Sequence, residues 1–178
     1  MRDKKAYDEF VQEFASSMNE LINEREVSDL VFLCVGTDRI TGDSFGPLVG
    51  YKLAELYKME KKIHIFGHLA EPLSINNMEH TIFDIQKKYK KPFVIAVDSA
   101  ISEKGNIGKI VVSKRRINLG SGLNKKVIKV GDISIKGIVS EDLGTPRKNF
   151  ILLQNTPLGL VMNMADTVAK GIYNVINI

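Results

Sequence analysis

A run of six apolar residues, Leu30 to Val35, leads directly into a polar loop and then into a helical pattern. This succession constrains the fold more than any other stretch of the chain. The apolar run reads as a buried strand. The loop carries Gly36 and Gly42 as breakers and two acids, Asp38 and Asp43. Pro47 stands where a helix starts, because proline presets φ and lacks only an N–H that the first turn leaves unpaired. Leu48, Leu53 and Leu56 continue the helical pattern. Strand, acid-bearing glycine loop and helix in this order present side chains at the carboxyl edge of an α/β sheet. A second acid, Asp98, follows the apolar strand Pro92 to Val97 and is read as its end. Two strand-end carboxylates are therefore the starting point for function.

The same alternation recurs along the chain. Residues Ala6 to Asn23 place Phe10, Val11, Phe14, Met18, Leu21 and Ile22 on one face, which predicts an amphipathic helix within residues 1–25. A short strand is expected around Lys62 to Phe66, and then a helix to about Tyr89, capped by Ser74 or Asn76. After Asp98 the expected strands are Lys109 to Ser113, Ile133 to Val139 and Asn149 to Gln154. Thr156-Pro157 is expected to open a last helix, with threonine as its cap. Alternating strands and helices predict one α/β domain over residues 1–178, a three-layer sandwich with a mostly parallel sheet and helices on both faces.

Composition narrows the class. Of 178 residues, 44% are hydrophobic, enough to fill a core of this size. No stretch approaches the roughly 20 apolar residues of a membrane span, and Met1 to Ala6 is not an apolar signal core. A soluble, cytoplasmic protein is expected. No long propeptide precedes the first helix, so a zymogen mechanism has no visible support in the sequence. The lone cysteine, Cys34, falls inside the apolar strand and reads as a small core residue. The net charge of +4 comes from scattered lysines and arginines without interleaved aromatics, so no nucleic-acid partner is expected.

The candidate chemistry rests on carboxylates. Asp98 leaves a buried strand and starts desolvated. If Asp43 lies beside it, the two cannot both ionise freely, and one is held protonated. Such a pair can activate a water and protonate a leaving group, or bind a metal ion. Loop acids such as Asp38 often only accept local backbone N–H bonds. His64, His68 and His80 all precede Asp98, and no nucleophile–histidine arrangement can be named from spacing. The Gly36 loop has neither a phosphate-loop lysine nor a dinucleotide glycine triplet.

The stretches Val35 to Val49 and Val97 to Ala100 resemble the YyaC-type sporulation proteins, which are grouped with spore proteases. Gly120 to Lys126, Val130 to Ile138 and Leu153 to Ala165 resemble that family's glycine-rich loop, following strand and last helix. The resemblance covers roughly residues 28–176. The family is similar in turn to the spore germination protease and to the hydrogenase maturation endopeptidases, which share a phosphorylase/hydrolase-like α/β sandwich. The resemblance implies that Asp43 and Asp98 are catalytic acids, with Gly36, Asp38, Gly42, Gly120 and Gly122 supporting them or the substrate. It implies a protein or peptide substrate in a sporulating cell or spore. In the hydrogenase enzymes the matching acids bind nickel together with a later histidine. That histidine is missing here, so neither a metal nor a cofactor is expected. Thr145 to Asn149 departs from the family pattern and is read as a divergent loop near the substrate path. The rival to an endopeptidase is a non-catalytic spore-assembly or binding protein that keeps the fold.

Overall fold

The computed structural model describes residues 2–119 and 128–177. Its centre is a five-stranded sheet of order β2-β1-β3-β7-β4. The strands are β1 (Asp29–Cys34), β2 (Ile63–Phe66), β3 (Pro92–Ser102), β4 (Ile110–Ser113) and β7 (Ile133–Glu141). Strands β2, β1, β3 and β7 are parallel, and β4 closes the β7 edge antiparallel. A separate antiparallel pair, β5 (Ile117–Leu119) with β6 (Ile128–Val130), completes the strands.

The central strands are apolar on both sides because both faces are covered. One face carries Phe32, Cys34, Phe93, Ile95, Val97, Ile133 and Ile135. Three helices bury it: α1 (Arg2–Asn23) through Phe10, Phe14 and Met18, α2 (Phe45–Leu56) through Phe45, Val49 and Leu53, and α5 (Leu158–Ile176) through Val161, Val168 and Ile172. The opposite face carries Val31, Leu33, Val35 and Ala96, and packs on Met78 and Ile85 of α3 (Met78–Lys88). Helix, sheet and helix form the expected three layers. The heptad-like face of α1 is real core: Phe10 and Phe14 stack with ring centroids 5.7 Å apart.

Three local expectations are corrected. Asn149 to Gln154 is not a strand but the body of α4 (Pro146–Gln154). Thr145-Pro146 starts that helix, since proline at the first position is preset for it. The last helix begins at Leu158, and Thr156 does not cap it; its hydroxyl donates back to the Leu152 carbonyl at 3.0 Å. Neither Ser74 nor Asn76 caps α3: it follows Asn77, whose carboxamide oxygen accepts the Ser74 N–H at 2.8 Å and so braces the turn before the helix.

Helix α2 crosses the end of β1 with no room for a side chain between them. A methyl group on Gly46 would meet the Val35 carbonyl oxygen at 2.0 Å. Alanine normally favours a helix by ~1 kcal/mol over glycine, so the contact reverses the usual sign. Gly46→Ala is expected to destabilise the fold by at least about 2 kcal/mol, lowering Tm by at least about 5 °C. Thermal unfolding followed by circular dichroism checks this; an unchanged or raised Tm contradicts the packing.

Candidate active site

Asp98 is not the last residue of its strand. β3 continues to Ser102, with a register shift against β7 between Ala100 and Ile101. Asp98 is instead the first residue of β3 beyond its pairing with β1, which ends at Cys34 opposite Val97. The Val35 N–H closes that ladder on the Val97 carbonyl at 2.7 Å. Asp98 therefore leaves the sheet where the neighbouring strand stops. The β1–α2 loop turns across this place.

Asp43 sits in a short 3-10 turn, Gly42–Ser44, between that loop and α2. The turn is tied down locally: the Asp43 N–H donates to the Ile40 carbonyl at 2.9 Å, and the Ser44 hydroxyl to the Thr41 carbonyl at 2.6 Å. Gly36 makes the turn possible. Its φ is +137°, and a methyl group there would lie 2.0 Å from the Asp43 carbonyl oxygen. Gly42 is buried against Leu153 of α4 and Thr156, where a methyl group would lie 2.6 and 2.9 Å from their side chains. The space beside Gly36 and Gly42 is filled by the chain itself rather than open to a peptide. Both glycines act by letting Asp43 approach the sheet. Asp38 is exposed in the preceding turn and has no hydrogen bond or ion pair among the described residues. Gly120 and Gly122 lie outside the described residues.

The two acids meet through Ser99. Its hydroxyl donates to Asp43 Oδ1 at 3.3 Å, and its N–H bonds the Asp98 carboxylate. Burial raises the Asp43 carboxyl above its ordinary range, against the pull of the Ser99 hydroxyl and the Thr37 N–H. Burial raises Asp98 further, and the Asp43 charge adds to it, bringing Asp98 up to about 7. The Ser99 N–H and the Lys136 ammonium oppose that rise. Lys136 lies on β7 directly across from Asp98 in the parallel register, so both side chains stand on one face of the sheet. At neutral pH the arrangement holds one carboxyl that readily keeps a proton beside a second whose rise is limited by the Ser99 hydroxyl and the Thr37 N–H.

Sequence reasoning missed Lys136 and the bridging role of Ser99. The signal was a single lysine in the otherwise apolar strand Ile133 to Val139, a residue rarely buried without a partner. Its partner depends on strand register, which no local pattern shows.

Comparison with known proteins follows from this geometry. The family model described as "Protein of unknown function (DUF1256)" matches residues 1–171. The chain belongs to this family. It is 41% identical over 143 residues to the uncharacterized protein YyaC of Bacillus subtilis (strain 168), covering 80% of this chain and 67% of YyaC. In fold it is similar to the NiFe hydrogenase maturation protease HycI from Thermococcus kodakarensis KOD1. The TM-score is 0.59 at 20% identity, over 86% of this chain and 95% of HycI. The architecture is thus that of a hydrogenase maturation protease. No described helix is long and apolar enough to cross a membrane.

The nickel-binding role implied for the hydrogenase enzymes does not fit the residues present. His64 pairs with Asp29 at 2.9 Å, His80 with Asp84 at 2.9 Å, and His68 faces Glu71 at 4.0 Å. Among the described residues, no three His, Cys, Asp or Glu side chains converge on one point. Asp98 instead has the Lys136 ammonium across the ladder, and no histidine follows it in the sequence to supply the imidazole that nickel prefers.

A raised carboxyl has a definite linkage sign. Between the ordinary value of 3.8 and about 7, folded Asp98 holds a proton that the unfolded chain has released. Stability therefore falls as pH rises through that window, by on the order of 4 kcal/mol if Asp98 acts alone. Asp98→Asn removes the buried charge with little change of volume. It is expected to raise Tm at pH 8 and to flatten the loss between pH 5 and 8. Denaturant unfolding at both pH values tests this, and parallel profiles for wild type and variant contradict it.

Proposed function

We propose that this chain is an endopeptidase that hydrolyses a peptide bond of a protein substrate with the Asp43–Asp98 pair. The observation that carries the reading is the unequal environment of the two acids around Ser99. Asp43, whose rise is limited by the Ser99 hydroxyl and the Thr37 N–H, takes a proton from a water molecule when ionised. The water oxygen attacks the peptide carbonyl carbon. Asp98, protonated near neutral pH, passes its proton to the leaving amide nitrogen as the C–N bond breaks. Both products leave with atoms and charge balanced, and proton exchange with solvent restores the starting state. Lys136 limits the rise of Asp98, so that it can still release its proton.

The protease-like fold supports a protein substrate, and the resemblance to sporulation proteins supports a substrate handled in the cytoplasm during sporulation or germination. The exposure of Asp38, with no hydrogen bond or ion pair among the described residues, supports only a minor role.

Asp43→Asn and Asp98→Asn are each expected to reduce cleavage by at least about 100-fold, as loss of a general acid or base does, whereas Asp38→Asn is expected to change it less than about threefold. In the wild type, kcat is expected to fall as pH rises through about 7, because Asp98 loses the proton it must donate. Peptide-cleavage assays on proteins of the sporulating cell, with all three variants, provide the measurement. Full activity in Asp98→Asn rules the mechanism out.

A further inference from the structure

β3 outruns β1, and the hydrogen bonds show what that leaves open. Main-chain groups of successive residues in a strand point to alternate sides. On the β7 side, the Val94 carbonyl accepts the Asp132 N–H at 2.6 Å and the Ser102 carbonyl accepts the Asp142 N–H at 2.8 Å. On the β1 side, the Val97 carbonyl accepts the Val35 N–H. Even-numbered residues of β3 therefore face β7, and odd-numbered residues face β1. Beyond Val97 there is no β1 residue in register. The carbonyl of Ser99 and both main-chain groups of Ile101 point to that side without a hydrogen-bond partner among the described residues.

The loop that follows β1 does not take the vacant place. Its N–H groups are spent elsewhere: Gly36 on the Leu73 carbonyl, Thr37 on the Asp43 carbonyl, and Asp43 on the Ile40 carbonyl. Asp98 to Ser102 are each partly exposed as residues, although the Asp98 carboxyl itself is buried. A buried or functional sheet edge with unpaired main-chain groups is a template for another strand. The edge begins one residue after Asp98, and Ser99 itself bonds to Asp43.

We propose that an extended segment of the substrate polypeptide docks as an added strand on the free edge of β3 at Ser99–Ile101, which lays its main chain beside Asp43 and Asp98. This rests on the endopeptidase reading and names how that site holds its substrate. The chemistry offered, one N–H and two carbonyls spaced along a strand, is complementary to an extended main chain and to no compact ligand. Pairing of this kind orients the scissile bond by its backbone and leaves side-chain choice to the surrounding surface. It also requires the target to be locally unfolded, so cleavage is confined to tails, linkers and disordered proteins.

Amide hydrogen exchange tests the docking separately from catalysis. The probe is reduced, carboxymethylated casein, an unfolded polypeptide, added at saturation to Asp98→Asn, in which turnover is suppressed. A site nine-tenths occupied slows exchange about tenfold. The Ile101 amide is expected to slow by about that factor, while the Ala100 and Ser102 amides, already paired with β7, stay unchanged. Ile101→Pro removes the free N–H without touching the β7 ladder and is expected, in the otherwise wild-type chain, to lower cleavage. An Ile101 amide that exchanges equally with and without casein overturns the proposal. So does protection that appears without casein as protein concentration rises, since a second copy of the chain then covers the edge. Protection by casein in Asp98→Asn, with no cleavage by wild type, upholds the docking and removes only the peptidase reading.

Discussion

The site depends on a close approach of backbone to backbone. Helix α2 and the turn before it press against the end of β1 at distances that exclude any Cβ, as Gly46 over Val35 and Gly36 under Asp43 show. Proteins pack their interiors to the density of organic crystals, so adding one methyl group here displaces a helix rather than filling a gap. The consequence is chemical as well as mechanical. With the turn drawn in, Asp43 reaches Ser99 and its charge reaches Asp98. This close approach and the fold's most perturbed carboxyl are consequences of one arrangement.

The acid pair is costly to the fold. A buried carboxyl that keeps a proton at neutral pH contributes nothing as an ion and destabilises the native state when it ionises. Four groups limit that cost: the Ser99 hydroxyl and the Thr37 N–H at Asp43, and the Ser99 N–H and the Lys136 ammonium at Asp98. Lys136 places a protein-borne positive charge across the ladder from Asp98.

Much of this was legible in the residues. Uninterrupted apolar runs at Leu30 to Val35 and Pro92 to Val97 identify central parallel strands, because only doubly covered strands can be apolar throughout. The helical spacing of Phe10, Phe14 and Met18 marks α1 as core. The glycine loop between β1 and α2 points to the carboxyl edge. Other features were not local properties. The extension of β3 past Asp98 is set by β7, which pairs with it as far as Glu141, across one register shift, after β1 has ended. Lys136 and Asp98 become neighbours only through that register. The apolar run Phe150 to Leu153 satisfies a strand pattern as well as a helical one, and the preceding Thr145-Pro146 decides in favour of a helix.

The central claim is that Asp43 and Asp98 share one electrostatic site. Carboxyl carbon NMR of the aspartates, followed through a pH titration, measures it directly. The Asp98 carboxyl is predicted to titrate at about 7 in the wild type, and lower in Asp43→Asn, where the neighbouring charge is gone. An Asp98 carboxyl that titrates near the ordinary 3.8, or identically in both proteins, contradicts the shared site.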